Sequence, residues 1–229
     1  MPETVLDLGG LRVVAVGERA SPVVVVVLHG YAMDPSDLSP FAHSLGLPAW
    51  FLFPAGPLAA SPRGRAWWHV DPAGREAAIA RGPRDFAEQH PPDLGNARAH
   101  LTALLDDVLD AACGRPVVLA GFSQGGMLAC DTQLRAPRPV AGMALLSASR
   151  VASSEWAPFL AAGNVRGLPV LVSHGAADTD LAFSAGAALK DCLVAAGADV
   201  TWVPFDEGHQ IPFVVWRRLR KFVTRAAAL

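Results

Sequence analysis

The chain has 229 residues, of which 52% are hydrophobic and 17% charged, and its formal net charge is -2. This composition excludes an intrinsically disordered chain and allows a large core, and the length is ordinary for one large α/β domain. Because 19 basic residues are balanced by 21 acidic ones, there is no strong field of one sign to attract nucleic acid or an anionic membrane. We therefore predict a single domain over residues 1–229 with no nucleic-acid partner.

We expect neither an export signal nor a membrane-spanning segment in this sequence. The longest apolar run, Val23 to Leu28, has six residues, whereas a bilayer span needs about 18 or more. The start, MPETVLDLGG, lacks the basic segment and apolar run of an export signal. The three cysteines, an odd number without a CxxC pair, are predicted to be small buried hydrophobic residues. We expect a cytoplasmic protein with no membrane span.

Short β-branched runs alternate along the chain with longer segments of helical spacing. The runs are apolar throughout, as is typical of strands that are covered on both faces. This predicts an α/β fold, a mostly parallel central sheet with helices on both faces. Gly9 and Gly10 before the first run predict an edge hairpin. The predicted strands are 12–16, 23–28, 49–53, 117–120, 142–146, 170–173 and 200–204.

Apolar residues at i, i+3 and i+4 spacing predict one helix over 94–112 and another over 181–196. A last helix should begin at Pro212, a residue favoured in the first turn. The residues of this helix that we expect to face inward are Phe213, Trp216, Leu219 and Val223.

The segment 54–92 interrupts this alternation, because Pro, Gly and Arg are frequent in it and no clear strand is visible. Loops longer than about 12–15 residues in compact domains are usually functional. We expect this segment to act as a small lid or as one wall of a substrate site, and therefore to be the only, minimal cap of the fold.

The segment Gly121 to Gly126, GFSQGG, follows a predicted strand and precedes a helical stretch. A serine on such a sharp turn has its hydroxyl exposed above the sheet, and glycines two residues before and after it let the chain close around it. Ser123 is therefore a candidate nucleophile.

A serine nucleophile needs a base and a carboxylate that orients the base. Asp178 and His209 each follow the end of a later predicted strand. The order Ser123, Asp178, His209 is the one expected of an α/β-hydrolase. Asp180 lies in the same loop as Asp178 and is the alternative third member.

The developing oxyanion of acyl transfer also needs hydrogen-bond donors. The backbone N–H of Gln124, at the positive end of the following helix, is one candidate. The loop after the second predicted strand provides the other, and we choose the N–H of Tyr31.

Five motifs together resemble the phospholipase/carboxylesterase family of α/β-hydrolases, which includes acyl-protein thioesterases and small bacterial carboxylesterases. The resemblance implies Ser123 as nucleophile, Asp178 as acid, His209 as base, and Tyr31 with Gln124 as oxyanion donors. The motifs are LHGY (28–31), RAWWHVD (65–71), GFSQGG (121–126), HGAADTD (174–180) and GHQIP (208–212).

Two positions depart from the family pattern. Ala32 stands where a second glycine is usual, and His69 stands where an acidic residue is usual. These departures bear on the shape of the oxyanion loop and on the polarity of the acyl pocket.

Aromatic side chains near these motifs are candidates for the substrate pocket. The two adjacent indoles are either both part of the core, or they point in different directions so that one of them lines an acyl or alcohol pocket. His29 and His174, each before a glycine at a strand end, are interpreted as structural. The candidate substrate-binding residues are Trp67, Trp68, Phe183 and Phe213.

The hypothesis from the sequence is a serine esterase that hydrolyses carboxylic esters, and thioesters as a second class, with short to medium acyl chains through an acyl-enzyme. Alternatives are a thioesterase or lysophospholipase for long chains, an acyltransferase, and a ligand-binding protein without turnover. No metal, nucleotide or dinucleotide motif is present, so no cofactor is expected. The expected partner is a small ester or thioester, and a homodimer is left open.

Overall fold

The computed structural model describes residues 3–229. Its strands are β1 (Glu3–Leu8), β2 (Leu11–Val16), β3 (Val23–Leu28), β4 (Ala49–Pro54), β5 (Leu58–Ala59), β6 (Arg65–Ala66), β7 (Val117–Phe122), β8 (Gly142–Leu146), β9 (Pro169–Gly175) and β10 (Asp199–Phe205). Its α-helices are α1 (Ser39–Leu45), α2 (Pro72–Ala80), α3 (Leu94–Ala112), α4 (Gln124–Arg135), α5 (Ala157–Ala161), α6 (Phe183–Ala195) and α7 (Phe213–Ala226). Short 3₁₀ helices cover Pro35–Asp37 and Ser153–Glu155.

Eight strands form one sheet in the order β1-β2-β4-β3-β7-β8-β9-β10. The pairs β1–β2 and β2–β4 are antiparallel, and every other pair in this sheet is parallel. The predicted edge hairpin is present, and Gly9 and Gly10 at its turn have φ of 57° and 71°, which only glycine adopts without strain. The predicted α/β fold with a mostly parallel sheet is confirmed.

The core has two halves, one on each face of the sheet. All six residues of β3 are buried. Val24 and Val26 pack into the cluster that includes α3, α4 and α6, whereas Val25 and Val27 pack into the cluster formed with α1 and α7. The apolar run in this strand is thus continuous because both faces of the sheet are covered.

The predicted inward face of α7 is wrong at one residue. Phe213 is 73% exposed, while Val215, Trp216, Leu219, Phe222 and Val223 are buried. At 100° per residue Phe213 lies roughly 120° from the centre of the buried stripe, so the first turn presents it to solvent. The prediction that all three cysteines are buried holds for Cys130, whereas Cys113 is exposed at the end of α3 and Cys192 is half-buried.

The segment 54–92 contains more regular structure than its composition indicated. β5 and β6 pair as a two-residue ladder, which is too short for a periodic signal. The Asp71 carboxylate accepts hydrogen bonds from Ala73 N–H and Gly74 N–H and caps α2. No residue of α2 is buried, so this helix covers the protein surface without entering the core.

Between residues 3 and 229, no helix is both long enough and apolar enough to cross a membrane.

Candidate active site

Ser123 occupies the turn between β7 and α4 with φ 52° and ψ -117°. A non-glycine residue in this region carries strain on the order of 1–3 kcal/mol. The turn is fixed by a hydrogen bond from Ser123 N–H to the Leu146 carbonyl at 2.9 Å. The backbone therefore holds the serine where strand and helix meet.

The glycines around Ser123 are required by close approach. A Cβ on Gly121 would lie 2.4 Å from the Gly125 carbonyl carbon, and one on Gly125 would lie 2.6 Å from the His29 oxygen. A Cβ on Gly126 would lie 2.8 Å from the Cβ of Ala148. Side chains at these positions would thus push α4 away from the sheet.

Ser123, His209 and Asp178 form one hydrogen-bonded chain. The Oγ of Ser123 lies 2.9 Å from Nε2 of His209, and Nδ1 of His209 lies 2.7 Å from Oδ2 of Asp178. A Cβ on Gly175 would lie 2.2 Å from the Glu207 carbonyl oxygen. This glycine therefore lets the loop after β10, which carries His209, approach the loop after β9, which carries Asp178. This geometry allows the imidazole to take a proton from the serine.

The Asp178 carboxylate is buried and is surrounded by donors. Oδ1 accepts from Asp180 N–H at 2.9 Å and Leu181 N–H at 2.8 Å. Oδ2 lies 2.7 Å from His209 Nδ1 and 3.3 Å from His174 Nε2. Burial by itself raises the pKa of Asp178, but the hydrogen bonds from His174 and His209 outweigh it and hold that pKa well below its usual range. The carboxylate is therefore ionised.

His174 is fully buried, and its Nε2 faces both Asp178 and the Leu181 carbonyl, at 3.1 Å from the latter. Its ring packs on α6, where a Cβ on Gly186 would lie 2.2 Å from Nδ1. The His174 side chain thus fixes the position of the Asp178 carboxylate from within the core. The spacing of four residues between His174 and Asp178 could have indicated this contact.

Asp180, the alternative acid, has other partners. Its carboxylate forms ion pairs with Arg75 and Arg84. Asp178 is the carboxylate that contacts His209. The structure therefore favours Asp178 as the orienting acid.

The two candidate oxyanion donors border the same cavity as Ser123. Gln124 is the first residue of α4, so its N–H has no acceptor within the helix. Its side chain accepts from Trp67 N–H at 2.9 Å and donates to the Trp68 carbonyl at 3.1 Å. Gln124 thereby ties the RAWWHVD segment to the start of α4.

The loop that carries Tyr31 continues into Ala32, whose φ is 60°. Glycine adopts this left-handed conformation without strain, whereas alanine does not. Ala32 N–H donates to the Arg65 carbonyl at 2.9 Å, and this contact supports the loop. The alanine thus keeps the loop in a glycine-like shape at the cost of local strain.

His29 is fully buried beneath this loop as a neutral imidazole. Its Nδ1–H donates to the Gly30 carbonyl at 2.7 Å, and its Nε2 accepts from Gly56 N–H at 2.9 Å. Burial lowers the pKa of His29 to about 4. Protonation would add an N–H at Nε2, and this N–H would face the Gly56 N–H instead of an acceptor.

We expect His29 to make the protein acid-sensitive. The unfolded chain binds a proton at His29 below about pH 6.5, whereas the folded protein does so only near pH 4, so stability is lost as the pH falls between these values. The shift corresponds to about 3 kcal/mol of unfolding free energy. Urea unfolding at pH 7, 6, 5 and 4 measures this loss.

The variant His29→Gln keeps a donor and an acceptor without a titratable group, and it should flatten the decline in that window. His69→Gln, at an exposed imidazole, is the control and should keep the wild-type slope. An unchanged slope in His29→Gln would show that other groups cause the acid loss.

A cavity of about 120 Å³ contains Ser123 and His209 and is mostly apolar. It adjoins a groove of about 690 Å³, with which it shares Trp68, Val70, Arg75, Arg84 and Phe86. Sequence reasoning missed both arginines and several apolar wall residues. The other apolar wall residues of the cavity are Met33, Phe122, Met127 and Leu181.

The structure brings one of the four predicted aromatic residues to this cavity. Trp68 lines it. Trp67 is buried, and its ring stacks on that of His29 with 5.2 Å between the ring centres. Its Nε1–H donates a hydrogen bond to the His29 carbonyl. Phe183 packs against His174 and Trp202. Phe213 lines a separate depression between α1 and α7. The structure therefore does not bring Trp67, Phe183 or Phe213 to this cavity, and of the two indoles it is Trp68 that lines it.

Within residues 3–229, no group of three or more His, Cys, Asp or Glu side chains is arranged to hold a metal ion.

Several solved structures share this fold. Esterase PE8 superposes with a TM-score of 0.76 at 24% identity, covering 93% of this chain and 97% of that chain. The carboxylesterase from Mesorhizobium loti gives 0.73 at 21% identity, covering 98% and 99%. Arabidopsis thaliana SOBER1 gives 0.69 at 23% identity, covering 89% and 98%.

Among curated protein sequences none matches the chain significantly. The family model for phospholipases and carboxylesterases matches residues 9–226, which is nearly the whole chain. The fold and the match together assign a hydrolase of the carboxylesterase or phospholipase type. The chain belongs to the phospholipase/carboxylesterase family of α/β-hydrolases.

Proposed function

We propose that this protein is a serine carboxylesterase that hydrolyses short to medium acyl esters through an acyl-enzyme, with thioesters as a second class of substrate. The observation that carries the proposal is the hydrogen-bonded chain from Ser123 through His209 to Asp178 at the wall of an apolar cavity. Family membership supports the same reaction class.

In the proposed mechanism His209 Nε2 takes the proton of Ser123 as Oγ attacks the ester carbonyl carbon. The N–H groups of Tyr31 and Gln124 stabilise the oxyanion, and Asp178 stabilises the imidazolium. The imidazolium then protonates the leaving alcohol or thiol. Water, deprotonated by the same histidine, attacks the acyl-enzyme and releases the acid.

The size of the cavity supports the preference for shorter chains. Its volume of about 120 Å³ is well below the roughly 300–1,000 Å³ of pockets that enclose drug-sized ligands. Beyond it the groove is open to solvent beside α2, and the polar residues His69 and Asp71, just before that helix, line it. A long chain would leave the apolar wall after its first few carbons.

We expect kcat/KM to rise over the first few acyl carbons and then to level off. Each methylene that meets apolar wall contributes roughly 0.8 kcal/mol, while one that projects into water contributes nothing. p-Nitrophenyl esters from acetate to palmitate, with matched acyl thioesters, measure the profile. Trp68→Ala should make the initial rise less steep.

Phe213→Ala is the matched control, because this exposed aromatic residue lies outside the cavity, and it should keep the wild-type profile. A steady increase up to palmitate would contradict the short-chain preference and would indicate a thioesterase or lysophospholipase for long chains.

A further inference from the structure

Two arginines and one aspartate stand on the cavity wall, and the proposed mechanism uses none of them. Arg75 lies on α2, Arg84 lies between α2 and α3, and Asp180 follows β9. The Asp180 carboxylate accepts from Nη2 of Arg75 through Oδ2 and from Nη2 of Arg84 through Oδ1. Two cations thus share one anion, and the wall has an excess positive charge.

The cations are more accessible than the anion between them. The side chains of Arg75 and Arg84 are 34% and 18% exposed, and that of Asp180 is 11% exposed. A guanidinium has five N–H donors, so binding one carboxylate oxygen leaves donors for a second anion. The accessible part of this cluster is therefore positive.

The arginines are also held in place. The guanidinium of Arg84 lies 4.7 Å from the ring centre of Phe86. The backbone N–H of Arg84 donates to the Asp180 carbonyl, and the Arg84 carbonyl accepts from Ala182 N–H, each at 2.9 Å. The guanidinium of Arg75 lies 5.7 Å from the ring centre of Tyr31. Fixed donors lose little conformational freedom when they bind an anion.

We propose that Arg75 and Arg84 select substrates whose ester bears an anionic group, such as a carboxylate, a few atoms from the scissile carbonyl. This inference rests on the proposed esterase function and names its substrate class. The substrate anion would neutralise the excess charge and would form charge-assisted hydrogen bonds beside apolar wall residues, where such bonds are strong.

Two pairs of esters test the inference, each matched in shape and differing in charge. In 4-acetoxybenzoate and 4-acetoxybenzamide the charge lies in the alcohol part, and in monomethyl adipate and its monoamide it lies in the acyl part. The readout is the ratio of kcat/KM for the anionic ester to that for the neutral ester. Comparing this ratio between variants cancels the intrinsic reactivity of each ester.

We expect Arg75→Met and Arg84→Met to lower this ratio by roughly 10- to 100-fold in at least one pair, which is the factor for losing a hydrogen bond to a charged group. Arg75→Lys should keep most of the preference because it keeps the charge. Arg218→Met removes one positive charge from the exposed side of α7, and it should keep the wild-type ratio.

Arg75→Met remains informative if Arg84→Met does not fold, because α2 has no buried residue. Equal ratios in the wild type and both methionine variants would overturn the inference and leave the esterase proposal intact. Hydrolysis of only the neutral esters would also overturn it. If the wild type hydrolysed none of the four esters and no p-nitrophenyl ester, the proposed function would fall and the inference with it.

Discussion

Ser123→Ala is expected to lower kcat by roughly 10⁶, the scale observed when a triad nucleophile is removed. The Oγ of Ser123 is the atom that His209 contacts at 2.9 Å, and alanine offers no other nucleophile. The fold should persist, because the substitution removes one oxygen at a half-buried position. Steady-state kinetics with p-nitrophenyl butyrate, together with circular dichroism, measures both effects.

The comparison depends on the variant being folded. A folded Ser123→Ala protein with near wild-type turnover would remove Ser123 from the mechanism. A residual rate over water is expected, because the oxyanion donors and the cavity remain.

Asp178→Asn should lower kcat by roughly 10⁴, because an amide in place of the carboxylate favours the wrong tautomer of His209. The carboxylate lies 2.7 Å from Nδ1 of His209 and is kept ionised by its hydrogen bonds, as the low pKa of Asp178 indicates. The same assay on the purified variant measures this loss.

Asp180→Asn is the matched comparison from the same loop. Asp180 binds Arg75 and Arg84, so we expect its amide variant to lose much less activity than Asp178→Asn. If Asp180→Asn were the more damaging of the two, the acid would have to be reassigned.

The central strands of the sheet could be predicted from the sequence because they are covered on both faces and form continuous apolar runs, whereas no residue of the edge strand β1 is buried. The run Val23 to Leu28 coincides with β3. The order of Ser123, Asp178 and His209 could be read because each follows a strand of the parallel sheet, whose carboxyl ends lie along one edge. Local sequence patterns were thus sufficient to predict the fold class and the candidate triad.

Pairings between distant segments could not be predicted in this way. Arg75 and Arg84 lie 105 and 96 residues before Asp180, and no periodic pattern links them. The choice between Asp178 and Asp180 depends on which carboxylate faces His209, a difference of two positions in one loop.

Side-chain direction could be predicted only in part. Phe213 begins an amphipathic helix, but the first turn places it outside the buried stripe. Which of the two adjacent indoles lines the cavity depends on a distant contact: Trp67 donates Nε1–H to the His29 carbonyl and stays in the core, and Trp68 reaches the cavity.

The most direct test of the proposed mechanism is intact-protein mass spectrometry after reaction with a fluorophosphonate, which phosphonylates an activated serine. Wild-type protein should gain the mass of one adduct, peptide mapping should place it on Ser123, and Ser123→Ala should gain none. An unlabelled wild-type protein, or an adduct that persists in Ser123→Ala, would contradict the account.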